Sequence, residues 1–135
     1  MPWNIFLEFK DGKVTSFSSK TGEDELKNII SFDSESSMLG EVALVSCDSP
    51  IYKSNLLFYE TLFDENAASH IALGRGFKEC LDNGFLLNEK ELDEVGYNKS
   101  QNHVDIMIGT DDLNISAVTY DDTEVEIFKD GRFVI

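Results

Sequence analysis

The sequence holds two histidines, His70 and His103. Imidazole nitrogen combined with carboxylate oxygen is a donor set for zinc and related divalent ions. His103 lies in Asn102-His103-Val104-Asp105-Ile106-Met107-Ile108-Gly109, which alternates like a strand. His103 and Asp105, two apart, then point to the same face. Both cannot enter an apolar core without a partner, because an unpaired buried carboxylate is costly; an exposed edge strand would carry them harmlessly. His70 falls in the stretch from Leu57 to Gly74. The first half of that stretch is apolar and aromatic, and its second half runs from Asp64-Glu65-Asn66 into Ala, Ile and Leu. That pattern reads as a helix start, with Gly74 and Gly76 as its stop. The expectation is His70 on a short helix, where a lone histidine is more often a hydrogen-bonded structural residue than a ligand. A helix His, a strand His and a strand Asp make a set of metal ligands if the fold brings them together.

Other acidic residues read differently. Glu41 stands at the start of Glu41-Val42-Ala43-Leu44-Val45, otherwise a short apolar strand expected to be buried, which puts Glu41 at a sheet rim. Asp48, Asp64 and Glu65 suit turns and helix starts. Asp111-Asp112 and Asp121-Asp122 read as solvated turns, since the twelve-residue calcium-loop pattern is missing. No Gly-rich phosphate loop, Gly-x-Ser-x-Gly elbow or Cys/His zinc-finger spacing is present.

The elements that must position these groups follow from patterning. Trp3 to Lys10 alternates as a strand, Asp11-Gly12 is a hairpin turn, and Val14 to Phe17 is the return strand. Thr21-Gly22-Glu23-Asp24 opens a helix with Leu26, Ile29 and Ile30 as its apolar stripe. Asp33 to Ser37 is a polar loop and Ser49-Pro50 a turn. Gly76 to Phe85 shows no single period. Asn88 caps a helix through about Val95, ended by Gly96. Strands are expected at His103–Ile108, Ile115–Tyr120 and Glu124–Phe128, with Asp130-Gly131 turning into Phe133-Val134-Ile135. Strands at both ends with helices between give an α+β class, a mixed and largely antiparallel sheet with a few short helices, in one domain over 1–135.

Composition narrows the partners. With 135 residues, 41% of them apolar and ten of them Phe, the chain can bury a core. Acidic residues outnumber basic ones 26 to 11, a formal net charge of −15. Such a surface repels nucleic acid and anionic lipid and attracts cations, metal ions included. No apolar run reaches the roughly 18 residues of a membrane span. Met1-Pro2-Trp3-Asn4-Ile5 shows no leader pattern. Cys47 and Cys80, far apart in sequence, read as reduced thiols, which points to the cytoplasm, although a single disulfide between them stays open.

Longer motifs then line up. Gly40-Glu41-Val42-Ala43-Leu44-Val45, Asp48-Ser49-Pro50-Ile51, Leu62-Phe63-Asp64-Glu65-Asn66-Ala67, Ser69-His70, Ala72-Leu73-Gly74, His103-Val104-Asp105 and Met107-Ile108-Gly109 occur in that order. Leu113-Asn114-Ile115 and Asp130-Gly131 follow. Together they resemble the C-terminal catalytic region of the aminopeptidase T / aminopeptidase S metallopeptidases, over roughly Phe6 to the end. The resemblance implies hydrolysis of N-terminal residues from peptides by a two-metal centre of zinc, cobalt or manganese. It implies Glu41, His70, His103 and Asp105 as ligands. A metal pair of that kind polarises the peptide carbonyl, and in an aminopeptidase it also binds the free amine.

Two departures from the family pattern bear on activity. The family has a further ligand Glu in a Glu-Glu-Val stretch several dozen residues upstream of the position of Glu41, and this sequence has no such stretch. The family also has a Tyr seven residues after the first ligand His, where this sequence has Phe77. The expectation is therefore a metallopeptidase-like domain lacking the family's N-terminal domain, with impaired turnover and a peptide substrate if active. The rival readings are a non-catalytic metal-binding or interaction module, and one half of a split enzyme. A homodimer, or a partner chain that supplies the missing half, is the expected assembly.

Overall fold

The computed structural model describes residues 3–135. Met1 and Pro2, the head of the stretch read above for a leader, lie outside the described residues. The elements in chain order are β1 (Trp3–Lys10), β2 (Lys13–Thr21), α1 (Glu23–Ile30), β3 (Leu39–Ala43), α2 (Pro50–Ser54), α3 (Thr61–Asp64), β4 (His70–Gly74), α4 (Glu89–Glu94), β5 (His103–Met107), β6 (Ile115–Val118), β7 (Glu124–Lys129) and β8 (Arg132–Phe133). The class is α+β, as the patterning predicts. The strands divide among three small sheets, β1-β2, β3-β4-β5 and β6-β7-β8. The chain forms two compact units: the described residues up to Glu41 with Ile71–Ile106, and Val42–His70 with Met107–Ile135. Among the described residues no helix is long and apolar enough to cross a membrane.

In the first unit, β1 and β2 pair antiparallel, with Lys10 opposite Lys13. That register leaves two turn residues, Asp11 at φ 50° and Gly12 at φ 76°. Positive φ at both is the geometry for which Asp-Gly is preferred in hairpins. Helix α1 follows with acidic residues in its first turn and Leu26 buried at 1% exposure. Helix α4 starts with a capping box: the Asn88 side chain accepts from Lys90 N and Glu91 N, and Glu91 Oε2 accepts from Asn88 N. Leu92 on α4 is fully buried, as are Ala72 and Leu73 on β4.

The Asp33 to Ser37 loop is more than a solvated connection. Asp33 Oδ1 accepts from Glu35 N, Ser36 N and Ser36 Oγ at 2.8–2.9 Å, and Oδ2 accepts from Ser100 Oγ at 2.9 Å and Gln101 N at 2.8 Å. Asn98 donates from the same second loop to Glu35 O and Met38 O at 3.1 and 3.2 Å. One carboxylate thus ties the loop that enters β3 to the loop that enters β5. The Gln101 N–H above all, with the Ser36, Glu35 and Ser100 donors, holds the Asp33 carboxyl well below its usual 3.8, against the opposing effect of partial burial. A carboxyl depressed in the folded state stabilises it fully above the unfolded value, and that contribution fades as pH falls. Asp33→Asn should therefore lower Tm near neutral pH, and the gap to the wild type should shrink as pH drops below about 4. Thermal melts at several pH values check this; a gap that stays constant down to strong acid would contradict it.

The second unit is built around β6-β7-β8. Phe128 on β7 is fully buried and packs against Phe133 of β8, ring centroids 4.2 Å apart and tilted at 59°. Lys129 pairs with Arg132 across a second Asp-Gly turn. Ser49-Pro50 begins a helix rather than a turn: Ser49 Oγ accepts from Tyr52 N at 3.2 Å, and Pro50 takes the first position of α2. Pro is favoured there because that N–H has no intrahelical partner.

Two further expectations are corrected. His70 is not on a helix. The helical run ends with α3 and a single 3-10 turn over Glu65–Ala67; Ala68 is extended at φ −156°, ψ 164°, and His70 opens β4. The cause is non-local. Ser69 Oγ accepts from Val45 N and donates to Val45 O, while Ser69 O accepts from Ile108 N and Gly109 N. Those bonds on both sides draw the chain into a sheet that local helix signals do not foresee. The second correction concerns Glu41 to Val45, expected as a buried strand. β3 is covered on one side only, with Val42 59% exposed and Leu44 just beyond it at 39%.

Candidate metal centre

Within the first unit, strands β3 and β5 bring three of the four expected ligand residues together. Gly40 makes the approach possible. A Cβ built on it would lie 2.1 Å from Gly74 O and 2.7 Å from Arg75 O, so any side chain would force the end of β4 away. Glu41 follows directly. His103 and Asp105 share one face of β5, as their spacing predicts. His103 Nε2 lies 3.3 Å from Glu41 Oε2 and 3.2 Å from Asp105 Oδ1. The three side chains are mostly enclosed, Asp105 most of all at 13% exposure.

The hydrogen-bonding arithmetic of this cluster is incomplete. His103 Nδ1 is 2.7 Å from Arg75 O. A carbonyl only accepts, so Nδ1 carries a hydrogen, and in the neutral ring Nε2 presents a lone pair. That lone pair faces two carboxylates. Asp105 Oδ1 is buried and has no hydrogen-bond partner, since its 3.2 Å contact with His103 lacks hydrogen-bond geometry. An acceptor buried without a donor is uncommon and costs about 1–3 kcal/mol, more when charged. With the ring neutral, two carboxylate oxygens and an imidazole lone pair converge with no donor among them, a set that suits a cation at its centre. The donor set, mixed oxygen and nitrogen, fits zinc, cobalt or manganese.

His70, in the second unit, is 3% exposed. Its Nδ1 is 3.0 Å from Ala68 O, so Nδ1 again carries the hydrogen and Nε2 is the free nitrogen. Both histidines thus have one nitrogen anchored on a backbone carbonyl and the other left as a donor atom, the arrangement typical of metal-ligating histidines. Phe77 stands edge-on to His103, ring centroids 5.1 Å apart at 65°. Neither anchoring carbonyl, Arg75 O nor Ala68 O, has any sequence signature, because every residue carries one. The Asp33 knot does have a trace: Asp33-Ser34-Glu35-Ser36 has the Asp-x-x-Ser form in which side chains bond the local backbone.

Comparison with known proteins bears on this geometry. Residues 3–133 match a family model described as thermophilic metalloprotease (M29). The chain is 50% identical over 127 residues to Aminopeptidase 2 of Geobacillus stearothermophilus, covering 94% of this chain and 31% of that protein. It is 44% identical over 130 residues to Aminopeptidase AmpS of Bacillus subtilis (strain 168), covering 96% and 32%. Among solved structures it is similar to wild-type AmpT from Thermus thermophilus, with a TM-score of 0.84 and 39% identity over 97% of this chain and 32% of that one. The chain spans about a third of the length of the curated relatives it matches.

Proposed function

The chain belongs to the thermophilic metalloprotease (M29) family, and from that premise we propose that it carries the metal centre of an aminopeptidase, with Glu41, His70, His103 and Asp105 as ligands and residues 1–135 working as one domain. The observation that carries the reading is the buried, partnerless Asp105 Oδ1 beside the His103 lone pair and Glu41. His70 joins the set by the family resemblance, and its Nε2 has no hydrogen-bond partner among the described residues. Bound there, one or two divalent ions of zinc, cobalt or manganese supply Lewis-acid polarisation of a peptide carbonyl. The chain's own residues do the rest. The Arg75 and Ala68 carbonyls lock each imidazole in one tautomer. By the family resemblance the free α-amine binds at the same centre, which directs a peptide by its N-terminus.

Peptides with a free N-terminus should be cleaved in a zinc- or cobalt-dependent manner, and N-acetylated counterparts should not. Aminoacyl nitroanilides with and without the acetyl group, assayed with and without chelator, test this. Cleavage of both, or cleavage indifferent to chelator and to His103→Ala, would contradict it. One observation favours a second reading, metal binding with little turnover. Phe77 puts a ring without a hydroxyl against His103, where the family resemblance expects Tyr. Zinc binding without hydrolysis above background would select that reading.

Two finer points complete the proposal. Cys47 and Cys80 are free thiols, which fits a reducing cytoplasm. In the second unit, Leu56, Leu57, Tyr59 and Leu62 are 64%, 64%, 89% and 72% exposed within seven residues. Apolar exposure of that density is a mark of association surfaces. The chain should form dimers in light scattering at micromolar concentration, and a strict monomer at the highest soluble concentration would remove the point.

A further inference from the structure

Beside the metal cluster, in the first unit, lies a cavity of about 400 Å³ with Arg75, Phe77, Lys78, Phe85, Tyr97 and His103 among its lining residues. Its volume is in the range of small-ligand sites. Its charge runs against that of the protein. Acids outnumber bases 26 to 11; Lys53, Lys90, Lys99 and Arg132 pair with carboxylates, and the other bases take no ion pair among the described residues. Among the described residues neither Arg75 nor Lys78 takes an ion pair, although Glu79 lines the same cavity; the Lys78 ammonium lies instead 5.7 Å from the centre of the Tyr97 ring. A neighbouring cavity of about 340 Å³ shares Arg75, Lys78 and Tyr97 and adds Lys99. Glu89 also lines that neighbouring cavity and pairs with Lys99, so the unpaired positive charge there is again that of Arg75 and Lys78.

We infer that this cavity is a carboxylate subsite, in which Arg75, aided by Lys78, receives an anionic group of a peptide whose other end reaches the metal ligands. The inference rests on the peptidase reading for the identity of the ligand. Arg75 links the two places: its carbonyl anchors His103 Nδ1 at 2.7 Å, and the residue lines both cavities. A guanidinium recognises a carboxylate through paired hydrogen bonds that an ammonium cannot reproduce. Phe77 and Phe85 give the cavity apolar wall for the carbon skeleton that carries the carboxylate. The anion is either the C-terminal carboxylate of a short peptide or an Asp or Glu side chain.

The test is NMR titration of the full chain without added metal, using three probes. N-acetyl-leucine carries a terminal carboxylate, N-acetyl-leucinamide carries none, and N-acetyl-glutamate α-amide carries one on its side chain only. At least one carboxylate probe should bind about tenfold tighter than the leucinamide, shifting the amides of Arg75, Phe77 and Lys78. The tighter of the two carboxylates names the source. Arg75→Gln should abolish the preference and Arg75→Lys should keep part of it; Arg75 is exposed, so neither change disturbs a core. Equal binding of acid and amide, no binding of any probe, or a preference that survives Arg75→Gln would overturn the inference. Because neither metal nor turnover enters the readout, a failed hydrolysis assay does not mimic that result, and a failed titration leaves the peptidase reading standing.

Discussion

Replacing Phe77 by Tyr should raise the zinc- or cobalt-dependent rate of N-terminal hydrolysis about 10²-fold, the scale of one hydrogen-bond donor aimed at a developing oxyanion. The ring already stands edge-on to His103 at 5.1 Å and is 45% exposed, so a hydroxyl can be added without overpacking a core. The change adds an O–H donor beside a cluster that otherwise offers acceptors only. It should leave zinc affinity and Tm nearly unchanged, since exposed substitutions shift stability by only about ±0.5 kcal/mol. Phe32→Tyr, at a 63% exposed ring in the same unit, is the control and should not change the rate. Steady-state kinetics on a free-amine nitroanilide decide the matter. Equal rates for Phe77→Tyr and wild type, at equal metal loading, would mean that the aromatic ring and not the missing phenol belongs to the working site.

The fold was most legible where local chemistry decides it. Both Asp-Gly turns, the acidic start of α1 and the Asn88 box of α4 form as their residues require, because turns and caps are settled within a few positions. His103 and Asp105 share a face for the same kind of reason, a strand period of two. His70 was misplaced because its neighbourhood carries helix-start residues, whereas its backbone is held by bonds from Ser69 to Val45 and to Ile108 and Gly109. No local pattern encodes partners some 24 and 40 positions away. The Asp33 knot was hidden likewise: three of its five donors are local, but Ser100 Oγ and Gln101 N lie 67 and 68 positions further along the chain. The ligand set itself came from the ordered motifs of the family resemblance rather than from spacing. Geometry then added what sequence cannot carry, the tautomer of each histidine and the partnerless oxygen of Asp105.

Zinc should bind as to a site and not as to a diffuse acidic surface. At zinc about 100-fold above its Kd, mass action on the folded state is worth about 2.7 kcal/mol, enough to raise Tm visibly. The more direct measurement is calorimetric titration of zinc into the metal-free chain and three variants. Asp105→Asn keeps the size of the side chain and removes one ligand charge; His103→Ala removes the imidazole; Glu94→Gln removes an exposed carboxylate paired only with Lys90. Losing an outer-shell partner of a bound metal typically costs 10–100-fold in affinity, so losing Asp105 or His103 should cost at least about 100-fold. Glu94→Gln should cost nothing measurable. If all three variants instead weaken zinc binding by the same small factor, the cations gather on the net charge of −15, and Glu41, His103 and Asp105 do not form a metal centre.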